Sequence, residues 1–507
     1  MLFNAPRRFS ARLLAGLLGG LIGLAAFSAP GQTQTTPSAL PPEVDALLAR
    51  AKVPREALAA IVVDAAPALN GKSAPLLSYR AGTLMNPASV MKLVTTYAGL
   101  ELLGPSFTWN TPVYVDGTIA DGVLHGNLVI QGKGDPKLVL ERLWLLLRRV
   151  QGLGIKTISG DIVLDRSAFA PATQNAADFD GEPLRPYNAA PDALLVNYKS
   201  VVMTFVPNVA SGNASVSFEP PLAGVRQQAS VPLSAGPNAS VGSMGSAALT
   251  DCGDYRGALR ADFSDPLRMA FDGSYPVACG EKVWAVAYSE PARYAERAIA
   301  GLWREMGGQL GGQVREGRAT PNQAPAFEMV SPTLAEVIRD INKYSNNVMA
   351  QQLFLTLSQQ RPGGASQEAS REVVRNWWQT RFAEQEPPLL DNGSGLSRLE
   401  RVTPQGLARL LQTAYVSGAM PDLMASLPIM GIDGTLQRSK SRPSTLAQGW
   451  AHLKSGTLRD ATALAGYVHL PSGRRLVVVA IVNHANAPAA RPALEALVDW
   501  AVREGGK

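Results

Sequence analysis

A serine that stands three residues before a lysine, at the start of a helical pattern, constrains this chain more than any other feature. Ser89 and Lys92 lie in the segment 86–94, and apolar residues recur at helical spacing from there to Gly104-Pro105. Residues at i and i+3 share one face of a helix, so the lysine amine can reach the serine hydroxyl. A lysine with a lowered pKa can serve as the base that a serine nucleophile requires.

The Ser-x-x-Lys motif alone also fits an ordinary amphipathic helix whose lysine extends into solvent. Two later segments favour the catalytic interpretation. Ser345 and Asn347 supply a hydroxyl and an amide between two helical patterns. Lys454 begins the chain's only Lys-[Ser/Thr]-Gly triplet, just before a strand-like run. Motifs of these three types, in this order, are found in serine β-lactamases and penicillin-binding proteins.

The N-terminal residues 1–28 have the pattern of a secretory signal peptide. A stretch with three arginines precedes the apolar segment 13–27, which is short for a membrane span, and small residues follow at the cleavage position. An uncleaved N-terminal anchor is the alternative. Residues 29–42 are rich in Thr, Gln, Ser and Pro and predict a flexible linker. We therefore expect a periplasmic protein, exported across the inner membrane.

Cysteine, histidine and charge content limit the other classes of site. Cys252 and Cys279 are the only cysteines, and an even pair in an exported chain predicts one disulfide. The four histidines lack the spacing of metal ligands, so we expect no metal and no other cofactor. The net charge of +6 is scattered along the chain. Scattered charge argues against a nucleic-acid groove but is compatible with peripheral contact with anionic wall polymers or membrane surfaces.

The order of helical and strand patterns predicts an α+β fold. A helix, a hairpin with its turn at 70–72 and the nucleophile helix occupy residues 43–107. Residues 108–288 have short strand patterns, among them one at 257–263, and form an insertion. Helices, a second hairpin and a last helix follow over 289–507. Strands from both ends of the chain can form one antiparallel sheet with helices on both faces, and the active site is expected at its edge.

Together these segments resemble the class C low-molecular-mass penicillin-binding proteins, which are the D-alanyl-D-alanine carboxypeptidase/endopeptidases of peptidase family S13 (penicillin-binding protein 4 type). The resemblance covers about 40–505, and the segments 126–136 and 391–398 support it. It implies the serine β-lactamase/DD-peptidase fold, an antiparallel sheet flanked by helices. The large, mostly β insertion then lies between the first and second motifs, with about 196–259 nested in a domain made of 108–195 and 260–288.

The resemblance also implies an acyl-enzyme mechanism on peptidoglycan stem peptides and cross-links, with β-lactams as covalent inhibitors. Ser89 is then the nucleophile that attacks the penultimate D-alanine. Lys92, with its pKa lowered by Lys454, is the general base, and Ser345 relays a proton to the leaving amine.

Further residues of the three motifs have substrate-binding roles in this scheme. Asn347 holds the substrate amide, and Lys454 with Ser455 binds the terminal carboxylate. The backbone N–H groups of Ser89 and Thr457 form an oxyanion hole, and Gly456 lets the substrate lie close to the strand. An acidic residue of the insertion recognises the diamino acid of the stem, for which the candidates are Asp178 and Asp180.

Two other interpretations remain open at this point. Tyr344 and Asn346 match the Tyr-x-Asn motif of class C serine β-lactamases, so the second motif has two reading frames. A weakly active penicillin-binding wall sensor would keep the same fold. The 391–398 loop and the insertion favour the peptidase. The motifs do not separate carboxypeptidase from endopeptidase activity, because the two reactions differ only in the leaving group, and they do not give the oligomeric state.

Overall fold

The computed structural model describes residues 39–66, 74–171, 175–234, 252–361, 364–437 and 446–506. The predicted signal peptide, most of the predicted linker and the predicted turn at 70–72 lie outside these ranges. None of the helices in the described ranges combines the length and the apolar character needed to cross a bilayer.

The helices and strands alternate irregularly along the described residues. The helices are α1 (Pro42–Arg50), α2 (Lys92–Leu103), α3 (Leu140–Gly152), α4 (Tyr255–Leu259), α5 (Tyr294–Glu305), α6 (Leu334–Lys343), α7 (Asn347–Thr356), α8 (Gln367–Arg381), α9 (Pro404–Tyr415), α10 (Met420–Ser426) and α11 (Arg491–Gly505). The strands are β1 (Leu58–Asp64), β2 (Leu77–Tyr79), β3 (Asn110–Ala120), β4 (Val123–Gln131), β5 (Thr157–Ile158), β6 (Ile162–Asp165), β7 (Ser200–Asn208), β8 (Asn213–Glu219), β9 (Arg226–Gln227), β10 (Ser230–Ser234), β11 (Ala261–Asp262), β12 (Arg268–Phe271), β13 (Tyr275–Pro276), β14 (Lys282–Ala287), β15 (Gln309–Leu310), β16 (Val314–Gly317), β17 (Phe327–Val330), β18 (Ala451–Leu458), β19 (Ala461–His469) and β20 (Arg475–Asn483).

The central sheet joins the two ends of the chain, as the sequence predicted. It is antiparallel with the order β18-β19-β20-β1-β2, and β1 pairs with β20 from Leu58↔Val482 to Asp64↔Leu476. Helices α1 and α11 cover one face, and the helical region with α2 and α6–α9 covers the other. Strands β19 and β20 are buried almost throughout, which explains their nearly continuous apolar sequences. The predicted α+β arrangement is confirmed.

The inserted region contains two larger sheets and one small sheet of its own. Seven strands, β3–β6 and β15–β17, form the first, and β7, β8, β10, β13 and β14 form the second. The second sheet, with the small sheet of β9, β11 and β12, is the nested module, and the predicted Cys252–Cys279 disulfide lies in it.

The boundaries of the inserted region differ from those expected. The first sheet continues beyond residue 288 to Val330, and α5 packs in the same core. The nested module extends from Ser200 to Ala287, because β14 pairs with β7 over residues 282–287. Strands of two to four residues such as β15 and β16 have no periodicity to reveal them, since they are defined by parallel pairing with β5 and β6.

The predicted strand at 257–263 is wrong over its first half. Residues 255–259 form helix α4, and only 261–262 are in a strand. Asp254 caps the helix by accepting a hydrogen bond from the Gly257 N–H at 3.1 Å. An aspartate at this position satisfies a free N–H of the first turn and so favours a helix over the strand that the apolar pattern suggested.

Ser89 itself precedes the regular helix. A 3₁₀ turn covers Ala88–Met91, and the α-helix begins at Lys92 and ends at Leu103, where Gly104 follows with φ +84°. In a 3₁₀ turn the side chains at i and i+3 are aligned. The serine and the lysine of the first motif therefore lie one above the other.

The nested module packs on α5 at a glycine. A Cβ atom added to Gly301 would lie 2.1 Å from the Pro221 carbonyl oxygen, which belongs to the loop after β8. The same loop donates a hydrogen bond from the Ala223 N–H to the Arg297 carbonyl oxygen at 3.0 Å. This contact fixes the module at a distance that only a glycine allows.

We predict that Gly301→Ala lowers the free energy of unfolding by about 1–3 kcal/mol, because the added methyl group displaces the Pro221 backbone. Gly152→Ala in α3 is the matched control, since nothing lies within 4 Å of its added Cβ. It should raise stability by about 0.5 kcal/mol through the higher helix propensity of alanine. Urea denaturation measures both, and equal stabilisation by the two substitutions would contradict the packing described.

Candidate active site

The amine of Lys92 lies where the three sequence motifs meet. Lys92 is fully buried, and its Nζ is 3.0 Å from Ser89 Oγ, 2.6 Å from Asn347 Oδ1 and 2.5 Å from the Ser394 carbonyl oxygen. Two of these partners can only accept hydrogen bonds, whereas the serine hydroxyl can also donate one. A neutral amine has two N–H groups and one lone pair, so it satisfies this set with the lone pair directed at Ser89.

Burial lowers the pKa of Lys92 to about 7, against a smaller rise caused by the Glu400 carboxylate. Contrary to the expectation that Lys454 lowers the pKa of Lys92, loss of hydration is the dominant cause. Repulsion between the charged forms of two neighbouring amines is mutual. Burial and then the charge of Lys92 hold the pKa of Lys454 well below its ordinary value.

Lys454 and Ser345 form a second contact of the same kind. Lys454 is fully buried in β18, and its Nζ donates to Ser345 Oγ at 3.0 Å and to the Ser455 carbonyl oxygen at 2.8 Å. Ser345 has a left-handed backbone with φ +56°, which costs energy for a residue other than glycine. The loop between α6 and α7 holds it there, and its hydroxyl is directed toward the third motif.

The two reading frames of the second motif have different surroundings. Ser345 contacts Lys454 and Asn347 contacts Lys92. Asn346 instead caps α7, because its Oδ1 accepts a hydrogen bond from the Met349 N–H at 3.0 Å. Tyr344 is 65% exposed. The Ser-x-Asn frame is therefore the one whose side chains meet the two lysines.

Two glycines allow β18 and the 391–398 loop to pack closely against the turn that contains Ser89. A Cβ atom on Gly456 would lie 2.5 Å from the Pro87 carbonyl oxygen, and one on Gly395 would lie 2.0 Å from the Ala88 carbonyl oxygen. Gly395 also has φ +79°. From the resemblance, Gly456 is expected to let the substrate lie close to the strand. In the structure this glycine brings β18 against the nucleophile turn.

The loop at 391–398 is held by a buried carboxylate. Glu400 Oε1 accepts hydrogen bonds from three consecutive backbone N–H groups, those of residues 391–393, at 3.1, 3.1 and 2.8 Å. Burial raises the pKa of Glu400, and these hydrogen bonds oppose the rise. The anchored loop presents the Ser394 carbonyl to Lys92.

Three residues of the site, Ser394, Glu400 and Thr435, lie outside the three sequence motifs. Ser394 contacts Lys92 through its backbone carbonyl, a group that every residue type has, so its identity as serine gives no sequence signal. Its loop at 391–398 is one of the segments that support the resemblance to the family. Glu400 follows that loop as an unremarkable acidic residue. Thr435 lies in the loop between α10 and β18, and its Oγ1 is 2.7 Å from Ser455 Oγ. Its only sequence signal is a Gly-Thr pair in a loop.

A cavity of about 590 Å³ opens beside Ser89. Thr457, Arg459, Arg398 and Asp180 are among the residues that line it. Burial raises the pKa of Asp180, but hydrogen bonds from Tyr187 Oη, the Asn188 amide and the Glu182 N–H outweigh this and lower it below its ordinary value. Asp178 lines a separate depression next to Arg398. Of the two acidic candidates, only Asp180 shares the cavity of the nucleophile.

The described residues contain no group of three or more His, Cys, Asp or Glu side chains arranged to hold a metal ion. The polar groups around Ser89 instead suit covalent chemistry by a serine with a lysine base.

Comparison with curated proteins gives two similar carboxypeptidases. The chain is 27% identical over 477 residues to a D-alanyl-D-alanine carboxypeptidase of an Actinomadura species, and this alignment covers 90% of this chain and 86% of that protein. It is 25% identical over 366 residues to the D-alanyl-D-alanine carboxypeptidase DacB of Haemophilus influenzae, and this alignment covers 71% of this chain and 72% of that protein.

A solved structure shares the fold. The crystal structure of penicillin binding protein 4 from Haemophilus influenzae matches with a TM-score of 0.69 at 22% identity, covering 92% of this chain and 99% of that chain. The same protein complexed with a β-lactam matches with a TM-score of 0.67. The predicted serine β-lactamase/DD-peptidase fold is thereby confirmed.

The family follows from the length of the match as well as from the motifs. Residues 40–504 match the family model of the D-Ala-D-Ala carboxypeptidase 3 (S13) family. This range includes all three motifs and the whole insertion, and it agrees with the resemblance identified from the sequence. The chain belongs to the D-Ala-D-Ala carboxypeptidase 3 (S13) family.

Proposed function

We propose that this protein is a serine-type D-Ala-D-Ala carboxypeptidase that acts on peptidoglycan stem peptides through an acyl-enzyme. The contact between the buried Lys92 amine and the Ser89 hydroxyl carries the proposal, because it activates a serine near neutral pH. Membership of the S13 family supports the same reaction.

The reaction begins when Ser89 Oγ attacks the carbonyl carbon of the penultimate D-alanine. The hydroxyl proton passes to the Lys92 lone pair as the oxygen–carbon bond forms. The carbon–nitrogen bond then breaks, and Ser345 relays to the departing nitrogen the proton that Lys92 took up, so that Lys92 is neutral again, while Lys454 supports the Ser345 hydroxyl. Water hydrolyses the resulting ester, which frees the stem carboxylate and restores Ser89.

Groups of β18, together with the backbone of Ser89, bind the two negatively charged groups of this reaction, the substrate carboxylate and the oxyanion. Lys454 and Ser455 are placed to hold the carboxylate of the terminal D-alanine, with Thr435 supporting the Ser455 hydroxyl. The backbone N–H groups of Ser89 and Thr457 stabilise the negative oxygen of the tetrahedral intermediate, an effect of about 3–4 kcal/mol per donor. Asn347 binds the substrate amide beside Lys92.

Asp180 recognises the free amine of the stem's diamino acid. It lies in the cavity that contains Ser89, and its lowered pKa keeps it ionised near neutral pH. Its two oxygens are already oriented by Tyr187 and Asn188. A fixed carboxylate in the same cavity as the nucleophile suits a cationic side chain on the acyl side of the scissile bond.

β-Lactams acylate Ser89 as substrate mimics, and the protein acts in the periplasm. The signal-peptide pattern of residues 1–28 supports export. The place of Ser345, between Lys454 and the nucleophile's cavity, favours peptidase chemistry over the Tyr-x-Asn chemistry of a β-lactamase.

Brief exposure to benzylpenicillin should give one stable adduct per chain, detected by intact-mass measurement. Ser89→Ala should remove the adduct. Ser211→Ala should retain it, since Ser211 is an exposed serine in the chain's other Ser-x-Asn sequence. An adduct on the Ser89→Ala protein would reject Ser89 as the nucleophile, and rapid drug hydrolysis without an adduct would indicate a β-lactamase.

The acylation rate should rise with pH and reach half of its maximum near pH 7, because only neutral Lys92 accepts the serine proton. The Glu400 carboxylate raises the pKa of Lys92, so Glu400→Gln should move this midpoint to lower pH. Stopped-flow measurements with a chromogenic β-lactam give the profile. Glu336→Gln at the start of α6 is the control and should leave it unchanged. A midpoint above pH 9 in the native protein would exclude a neutral Lys92 as the base.

Asp180→Asn should lower kcat/KM about tenfold for a pentapeptide with a free diamino-acid amine, since a charge-assisted hydrogen bond is lost. The same peptide with an acetylated amine should be cleaved equally by both proteins. Asp178→Asn is the matched control and should have no effect. D-Alanine release is measured for the native protein and for the two variants. An equal loss of kcat/KM on the free-amine and the acetylated peptide would refute amine recognition by Asp180.

A further inference from the structure

The third motif of this chain has a serine at its second position. The triplet is Lys454-Ser455-Gly456, whereas Lys-Thr-Gly is the form typical of class A β-lactamases and penicillin-binding proteins. Serine and threonine have the same hydroxyl group, but threonine has a second heavy atom on Cβ. That branch restricts χ1, so the hydroxyl of a threonine has fewer directions open to it than the hydroxyl of a serine.

The Ser455 hydroxyl therefore needs an external restraint if it is to be ordered before substrate binds. In the proposed function this hydroxyl donates a hydrogen bond to the carboxylate of the terminal D-alanine. A side chain that is free to rotate loses conformational entropy when a ligand fixes it, and this loss weakens binding. A side chain that the protein has already ordered avoids the loss.

The Thr435 hydroxyl provides this restraint. Thr435 Oγ1 lies 2.7 Å from Ser455 Oγ, which is the usual distance for a hydrogen bond between two hydroxyl groups. Ser455 is only 7% exposed, so water has little access to compete for the contact. The contact selects one direction for the Ser455 side chain.

The direction of this hydrogen bond follows from the role of Ser455. A hydroxyl group has one proton to donate and two lone pairs that accept. Because Ser455 donates its proton to the substrate carboxylate, its hydrogen bond with Thr435 is one that it accepts. Thr435 is then the donor, and its hydrogen bond polarises the Ser455 hydroxyl toward the substrate.

The loop that contains Thr435 is attached to the end of α6. Asp433 Oδ2 accepts a hydrogen bond from Lys343 Nζ at 2.5 Å, and Asp433 Oδ1 accepts one from the Ile429 N–H at 2.7 Å. The Lys343 side chain is 5% exposed. Gly434 has φ +57°, and a Cβ atom added to it would lie 2.5 Å from the Lys343 carbonyl oxygen. These contacts hold Thr435 at a fixed place beside β18.

We propose that Thr435 is a positioning residue that orders the Ser455 hydroxyl for the terminal carboxylate and replaces the restriction that a branched Cβ would provide. The inference rests on the proposed carboxypeptidase function. The Thr435 hydroxyl is then important while Ser455 is present and loses most of its importance in Ser455→Thr. A residue that only stabilised its own loop would be equally important in both proteins.

A double-mutant cycle tests this dependence. Thr435→Val removes the hydroxyl but keeps the shape of the side chain, and it is made in the native chain and in Ser455→Thr. D-Alanine release from a pentapeptide gives kcat and KM for the four proteins. The same peptide with a C-terminal amide is used as a competitive inhibitor, and its inhibition constant reports binding without the carboxylate.

The control is Thr380→Val, because Thr380 is an exposed residue of α8 whose hydroxyl donates to the Asn376 carbonyl oxygen. It should match the native protein in every measurement. Thr435 is also exposed, so Thr435→Val is expected to fold, and circular dichroism together with benzylpenicillin acylation checks this.

In the native chain Thr435→Val should raise KM about fivefold, through the lost hydrogen bond and the freed rotation of Ser455. The value of kcat should change less than about twofold, because the contact that activates Ser89 does not involve Thr435. The inhibition constant of the amidated peptide should also stay within about twofold of the native value. In Ser455→Thr, adding Thr435→Val should change KM less than about twofold.

A rise of KM that is equal in the two backgrounds, or an unchanged KM in both, would overturn the proposal. An equal loss of affinity for the acid and the amide peptide would overturn it as well, because the effect would then not depend on the carboxylate. A native protein that neither releases D-alanine nor reacts with benzylpenicillin would instead refute the function on which the proposal rests.

Discussion

The burial of the Lys92 amine is the constraint on which the active site depends. A charged amine without water is costly, so the site favours the neutral form, and a neutral amine can take the proton of Ser89. Its other two contacts come from Asn347 and from the Ser394 carbonyl, which belong to distant parts of the chain. The base is therefore complete only when the helical region and the 391–398 loop are both folded against α2.

The same requirement explains how a long insertion is tolerated. The inserted region leaves the catalytic domain after α2 and returns just before α6, and its two ends are tied together. The Leu334 N–H donates to the Phe107 carbonyl oxygen at 2.8 Å, and the Ser331 N–H donates to the Trp109 carbonyl oxygen at 2.9 Å. Because entry and exit lie side by side, α2 and α6 keep the relative positions that the site needs. The insertion can then add cavity walls around Ser345 without disturbing the lysines.

Much of this arrangement follows from sequence patterns with strong local causes. The Ser89–Lys92 spacing, the Gly104 stop, the Thr403 cap of α9 and the apolar strands at both ends of the chain predict the elements and the central sheet. Other features depend on contacts between distant residues and have no local signal. The role of the Ser394 carbonyl depends on Glu400, and the close packing at Gly456 depends on the Pro87 carbonyl. The choice between the Ser345 and Tyr344 frames also required the position of β18.

The most direct test of this account is titration of the Lys92 amine itself. Protein labelled with ¹³C at the lysine Cε atoms can be followed by NMR as pH changes, and the Lys92 resonance can be assigned from its absence in Lys92→Gln. The account predicts a pKa near 7 for this amine, set by burial and retained in the absence of substrate. A pKa close to that of an exposed lysine, about 10.4, would show that the amine is charged at neutral pH and would contradict its role as the base.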